Sequence, residues 1–255
     1  MIDLEKISRK SLIGKLLRFP LNLISPEMKM TILSGKLRGK KWIAGAGRNG
    51  CWLGTYEYEN QVIFEQQLTR GNIVFDIGAH AGFFTLLASV LVGESGKVFA
   101  FEPSPRNLVY LKEHLKLNKI NNVTIIEAAV SKFSGKSCFN LDQTGYQGGI
   151  SVEGNFEVET VSLDELIANG KIPVPNYLKI DVEGHEKSVL LGAKSLLANH
   201  HPTIFLSIHG RPVFQQCSTL LTSLDYRLEI VGQNRENSEG ELPKNLDLIA
   251  GYERL

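Results

Sequence analysis

Cysteine is scarce in this chain. Cys51, Cys138 and Cys217 are odd in number and far apart along 255 residues, which excludes a disulfide framework and the close pairing of a zinc cluster. The three read as small buried hydrophobes. Net charge is almost absent, +1 at pH 7, so bulk attraction to nucleic acid is not expected. No run of 18 uncharged apolar residues occurs, and the start shows no long apolar stretch with a small-residue cleavage site. Neither a membrane span nor a secretory signal is therefore read, and the expected location is the cytoplasm. No internal repeat is evident.

What is present is enough apolar material for a folded globular protein, 43 % hydrophobic and 8 % aromatic residues, at a length that buries a sizeable core. The small net charge hides an uneven distribution. Residues 1–41 carry ten basic and three acidic side chains, a local +7 that leaves −6 for the remainder. Within this lead, SRKSLIGKLLRFPLNLI places Leu12, Ile13, Leu16 and Leu17 at helical spacing among cations, up to Pro20. Such a helix is read first as packing on the domain's own flank, with a membrane surface, a partner or self-association as the alternative. We divide the chain into a basic lead over 1–54, a helix plus a small hairpin, and a main domain over 55–255. The glycine-rich piece 36–54 reads as the hairpin rather than a helix.

The main domain is organised around NIVFDIGAHAGFFT at 72–85. A short β-branched and aromatic run meets Asp76, then Gly78 and Gly82, and a helical periodicity starts at Phe83. That is a strand, a tight glycine loop and a helix whose N-terminal N–H groups lie at the sheet edge. The two glycines suit a turn needing positive φ and close approach of a ligand to the backbone. Ahead of it, 56–68 reads as a half-buried helix with Glu57 just before it, able to reach a ligand pocket but read first as a solvated or helix-terminal charge.

Strand and helix then alternate. Strands are expected at 73–77, 97–101 and 123–126, with helices at 83–92 and from Pro105 to 118. Strands at 136–140 and 156–163 flank a glycine-rich excursion, TGYQGGISVEGN, long enough to reach over a substrate site or to be a plain surface insertion. Next come a strand at 177–180, a helix at 186–197, a strand at 203–208 and a helix at 213–224. Two closing strands, 227–231 and 246–250, look like an antiparallel hairpin on the sheet edge. Repeated βα units imply an α/β fold with a mostly parallel, doubly wound sheet.

Ligands of such sheets lie beyond the carboxyl ends of the strands, where this chain has Asp76, Glu102 and Asp181. Glu102 stands twenty residues beyond Gly82, the distance at which an acid accepts hydrogen bonds from ribose hydroxyls. That feature fits NAD and S-adenosylmethionine alike. The first loop discriminates: D-I-G-A-H-A-G lacks the middle glycine of a pyrophosphate loop, having His80 there, and Asp76 repels an anion but attracts an ammonium.

Five stretches carry a family resemblance: VFDIGAHAGFFT, GKVFAFEPSPRN, LKLNKINNVTIIEAAVS, VSLDEL and YLKIDVEGHEKSVLLGA. With them the chain, from about residue 36 onward, resembles the FkbM-type family of S-adenosylmethionine-dependent methyltransferases. The resemblance implies the class I methyltransferase (Rossmann-like) fold, a seven-stranded sheet with its last strand antiparallel. It places Asp76, Gly78 and Gly82 around the methionine part of S-adenosylmethionine, with His80 of the same loop among the cofactor-binding residues. Glu102 goes to the ribose, Glu127 and Ala128 near adenine, and Asp181 beside the transferred methyl. Where the family's fifth strand usually ends Glu-x-His, this chain has Ser207-Ile208-His209, which removes a carboxylate from the acceptor side.

Methyl transfer to a hydroxyl needs near-attack geometry and a general base. His209 or Glu183 is the expected base and Asp181 the positioning group, acting on a hydroxyl of a small natural product or a glycan sugar. His185 is read as a solvent-facing residue and Glu186 as a charge favourable at a helix N-terminus. No metal is assigned, although Asp, Glu and His side chains of this kind could orient a diol through a hard divalent cation. A nicotinamide-dependent oxidoreductase and a non-catalytic cofactor-binding module are the rival readings.

Overall fold

The computed structural model describes residues 11, 20–141, 148–150, 156–231 and 245–252. The expected amphipathic helix within 8–24, most of the excursion at 144–155 and the polar link between the two closing strands fall largely outside them. Among the described residues no helix is long and apolar enough to cross a membrane.

A small antiparallel hairpin, β1 (Lys29–Thr31) with β2 (Lys41–Ile43), comes first. The hairpin expected within 36–54 is displaced toward the N-terminus: β1 precedes that stretch, only β2 lies in it, and a short helix α1 (Asn49–Leu53) occupies its end. Helix α2 (Tyr58–Gln67) then leads into β3 (Ile73–Ile77), α3 (Phe83–Val92), β4 (Lys97–Phe101), α4 (Pro105–Leu117) and β5 (Val123–Ile126). The second half runs β6 (Ala129–Val130), β7 (Gly135–Leu141), β8 (Gly148–Ile150), β9 (Phe156–Val161) and α5 (Leu163–Ala168). It ends β10 (Tyr177–Ile180), α6 (Glu186–Leu191), α7 (Lys194–His200), β11 (Thr203–His209), α8 (Arg211–Thr222), β12 (Tyr226–Ile230) and β13 (Asn245–Tyr252).

The main sheet has seven strands in the order β12-β13-β11-β10-β3-β4-β5. β13 is antiparallel to both neighbours, while β11, β10, β3, β4 and β5 pair in parallel. This is the seven-stranded α/β sheet with an antiparallel last strand that the resemblance implies. The closing pair is a hairpin, but only β12 lies at the edge; β13 is inserted between it and β11. A separate four-stranded sheet, β6-β9-β7-β8, carries the excursion.

Side-chain alternation along β3 sorts the core into two layers. Val74 packs with α3, α4 and the lead residues Ile32, Leu37, Trp42 and Trp52. Phe75 and Ile77 pack with Val189, Leu196, Cys217 and Leu221 on the other face. Helix α3 is buried on nearly every side, because the hairpin and α1 cover the flank that does not touch the sheet. Cys51 and Cys217 are buried as expected, whereas Cys138 is exposed on β7.

Two departures from the expected boundaries have a visible cause. The strand expected over 156–163 stops at Val161, because the Ser162 hydroxyl caps α5 through the Glu165 N–H, an S-x-x-E capping pattern. The helix expected over 186–197 breaks at Gly192. A Cβ there would lie 2.0 Å from the Ser131 carbonyl oxygen, the Gly192 carbonyl accepts from Ser162 Oγ and Asp164 N–H, and the Asp164 carboxylate caps α7 at Ser195 and Leu196.

Candidate active site

The crevice lies at the carboxyl ends of β4, β3, β10 and β11. Asp76 is 1 % exposed; its Oδ2 accepts from Thr85 Oγ1 at 2.6 Å. Its Oδ1 is buried with no hydrogen-bond donor among the described residues, its cation being Lys179 Nζ at 3.8 Å. Burial raises the Asp76 pKa against the pull of Lys179. The Lys179 ammonium also stands 3.5 Å from Asp181 Oδ2 and 4.9 Å above the Phe84 ring. Burial disfavours its charge, but Asp181, Asp76 and Glu57 together raise its pKa, so Lys179 is a fixed cation.

The loop after β3 turns on Gly78, His80 and Gly82, with φ of +82°, +51° and +93°. Positive φ was expected of the glycines; the close approach they permit is to protein. A Cβ on Gly78 would lie 1.9 Å from the Asp181 carbonyl oxygen, and one on Gly82 2.5 Å from Leu111 Cδ1. His80 contributes its backbone, its N–H donating to Glu102 Oε2 at 2.8 Å. Glu102, 4 % exposed, also accepts at Oε1 from Ser104 N–H and Asn107 Nδ2. Burial pushes its pKa up to about 7 even against these three donors. Ala128 is buried beside the end of β5. The Glu127 carboxylate pairs with Lys112 at 2.6 Å, more than half exposed, at the rim of a cleft of about 300 Å³ shared with Pro103 and Phe156.

At the ends of β10 and β11 Asp181, Glu183 and His209 converge, each offering an atom within 4.8 Å of the others. His209 Nε2 is 3.8 Å from Asp181 Oδ1 and 3.5 Å from Glu183 Oε2. Its Nδ1 is held at 2.7 Å by Glu186 Oε1, which also accepts the Gly184 N–H. Burial opposes charge on the imidazole, but Glu186, Asp181 and Glu183 outweigh it and raise its pKa to about 9. The three carboxylates thus favour the protonated ring in the ligand-free chain, and Nε2 must give up its proton before it can accept one from an acceptor or ligate a cation. Glu183 has φ of +50°, strain of a kind that collects at functional sites.

Two residues, Glu186 and His185, are placed otherwise than expected, and Glu57 stands just before α2 as read while also reaching the crevice. Glu186 is fully buried and clamps His209 besides opening α6. His185 is half-buried, with Nδ1 unpartnered among the described residues. Glu57 faces the crevice: Asp181 and Lys179 both act on its charge, and its Oε2 accepts from Asn60 Nδ2 at 3.2 Å. Asp247, which sequence reasoning missed, stands opposite Ser207 across the β11–β13 pairing and accepts its hydroxyl hydrogen bond.

The family model "Methyltransferase FkbM domain" matches residues 76–235, more than half of the chain. The chain belongs to the FkbM family of S-adenosylmethionine-dependent methyltransferases. Among FkbM-type relatives, hexuronic acid methyltransferase AglP of Haloferax volcanii is 29 % identical over 173 residues, 67 % of this chain and 70 % of that protein. The 31-O-demethyl-FK506 methyltransferase FkbM of Streptomyces tacrolimicus is 28 % identical over 162 residues, covering 50 % of this chain and 62 % of its own. The crystal structure of methyltransferase FkbM from Methylobacillus flagellatus shares the fold with a TM-score of 0.52 at 15 % identity, over 80 % of this chain and 55 % of that one.

FkbM membership makes S-adenosylmethionine the cofactor and removes the nicotinamide reading. The residues fit it: the unsatisfied Asp76 Oδ1 suits an ammonium, and Glu102 keeps acceptor capacity for hydroxyl donors. The carboxylates of Glu57, Asp76, Asp181 and Glu183 outnumber the one lysine among them, a balance that favours a cationic ligand.

Proposed function

We propose that the protein methylates a hydroxyl oxygen, and that the acceptor is a sugar of a glycan or a comparably hydroxylated small molecule. The observation that carries this reading is the convergence of Asp181, Glu183 and His209 beside the cofactor crevice. S-adenosylmethionine supplies, when bound, an electrophilic methyl group on a sulfonium; the chain's own work is to place the acceptor in line and manage its proton. Asp76 and Glu102 would hold the cofactor's polar ends. Asp181 would orient the hydroxyl, and its proton would be taken by Glu183, the exposed member of the cluster, or by His209, whose ring is fixed by Glu186. The named activity of AglP, on a hexuronic acid, makes acidic sugars the first acceptors to try.

The test is incubation with S-adenosylmethionine and a panel of hexuronic acids, neutral sugars and phenols. The readouts are S-adenosylhomocysteine release and the position of the added methyl by mass spectrometry and NMR. An ether methyl is expected, with turnover falling about 100-fold or more in Glu183→Gln and His209→Ala. A methyl found on nitrogen or carbon overturns the reading, and cofactor binding without turnover across the panel would favour a non-catalytic module.

A further inference from the structure

We infer that Asp181, Glu183 and His209 form a binding site for a divalent cation of the Mg²⁺ or Mn²⁺ kind. The inference deepens the proposed function and rests on it only for what the cation would do there. The three donors are two carboxylate oxygens and an imidazole nitrogen, a hard-to-borderline set. Adjacent ligands of an octahedral ion at about 2.1 Å lie roughly 3.0 Å from one another. His209 Nε2 stands 3.5 Å from Glu183 Oε2 and 3.8 Å from Asp181 Oδ1, so these two edges need to shorten by less than about 1 Å, and the Asp181–Glu183 edge, which lies within 4.8 Å, by less than about 2 Å.

The surroundings are those of a ligating histidine. Glu186 has a side chain that is 0 % exposed, and burying a carboxylate is costly unless it serves a fixed partner. Its Oε1 engages Nδ1 of His209, and its Oε2 is buried without any partner among the described residues. That arrangement turns Nε2 toward the two outer carboxylates and raises the imidazole's strength as a ligand, the role of a carboxylate standing behind a metal-bound histidine. Asp181 divides its oxygens in a compatible way: Oδ2 faces Lys179 and Oδ1 faces His209. The strained loop of Glu183 (φ +50°) and Gly184 (φ +98°) sets the third donor at the mouth of the crevice. Three protein donors on one side leave the remaining positions of an octahedral ion for water or for two oxygens of an acceptor. An ion there would bind the acceptor hydroxyl directly and lower its pKa, so the cluster would act through the ion's charge rather than through one side chain.

The probe is MnCl₂ added to the full chain with neither cofactor nor acceptor, the free ion being read by electron paramagnetic resonance. One saturable Mn²⁺ per chain is expected, displaced by Mg²⁺ and weakened tenfold or more in Glu183→Gln and in His209→Ala. Glu183 is exposed, so its variant keeps the test valid should the His209 substitution disturb folding. Glu186→Gln retains all three donors, and a weakening of about 10-fold is expected from loss of ring orientation. No saturable binding, or binding unchanged in Glu183→Gln and His209→Ala, overturns the site. Full-rate ether formation in EDTA by a chain that binds no Mn²⁺ would sink the cation and leave O-methylation standing. Mn²⁺ bound as expected by a chain that forms no methyl ether would do the reverse.

Discussion

Ser207 Oγ donates a hydrogen bond to Asp247 Oδ1 at 2.6 Å, across strands whose register sets the two residues opposite each other. The carboxylate that β11 lacks at position 207 is supplied by the antiparallel last strand. It is tied in on its other side by Asn60, whose amide donates to Asp247 Oδ2 at 3.1 Å and also reaches Glu57. A small cavity beside this group is lined by Phe64, Phe84, Lys179, Ser207 and Asp247. Asp247→Ala should cost about 1–3 kcal/mol, because it strands the Ser207 hydroxyl and the Asn60 amide. Ser207→Glu should destabilise by setting two carboxylates side by side, and adding Asp247→Ser should recover most of the loss. Urea denaturation of the two singles and the double would show a coupling of about 1 kcal/mol or more; additive effects would mean the pair is independent.

Gly78 tests how rigidly the first loop is held against β10. Its φ of +82° and the 1.9 Å approach of the Asp181 carbonyl to a built Cβ leave no room for a side chain. Gly78→Ala is therefore expected to cost about 3 kcal/mol or more, since backbone must move in two elements. Gly184 has a comparable φ of +98° but open space around it, so Gly184→Ala should cost only the dihedral strain, about 1 kcal/mol. Thermal melts of the two variants side by side measure the difference.

Much of this was legible in the chain. The strands at 73–77, 97–101, 123–126 and 177–180 fall where β-branched and aromatic runs predict, because each is short, apolar and bounded by turn residues. Asp181, Glu183 and His209 were singled out as strand-end residues, and the parallel pairing of β10 with β11 brings them together. What could not be read depends on neighbours distant in sequence. Asp247 is visible only once β13 is known to slot between β11 and β12. Glu186 reads as an ordinary helix-opening charge, and neither its burial nor its bond to His209 on β11 is written in the residues around it. Gly192 breaks a helix because the Ser131 carbonyl passes beside it, which no local pattern records. One signal was available and missed: Ser162 to Glu165 spells a helix start.

His114 is another long-range residue. It is 0 % exposed on α4, accepts the Ile43 N–H at Nε2 and bonds the Ala81 carbonyl through Nδ1 at 2.7 Å, while its ring stacks on Trp42. It thus ties the N-terminal hairpin to the glycine loop. Burial lowers its pKa to about 4 from 6.5. A depressed folded pKa means stability that is present above pH 6.5 and lost as pH falls toward 4, amounting to about 3 kcal/mol. Unfolding free energies between pH 7 and 4 should show this acid slope, and it should flatten in His114→Phe. An unchanged slope would assign the acid sensitivity to other groups.

Glu102 titrates with the opposite sign. Its folded pKa of about 7 lies above the ordinary 4.5, so its contribution to the ligand-free fold is complete below pH 4.5 and is lost as pH rises through 7. A ligand whose hydroxyls donate to Glu102 prefers the carboxylate and must expel the proton in the acid range. Affinity for S-adenosylhomocysteine should therefore rise by up to tenfold per pH unit as pH approaches 7 from below and level off above it. Calorimetry at pH 6 in buffers of different ionisation enthalpy should register proton release on binding, and Glu102→Gln should abolish that release while weakening affinity. An affinity flat from pH 5.5 to 8, with no proton released, would place the ribose hydroxyls away from Glu102 and break the link between the buried acid and the cofactor.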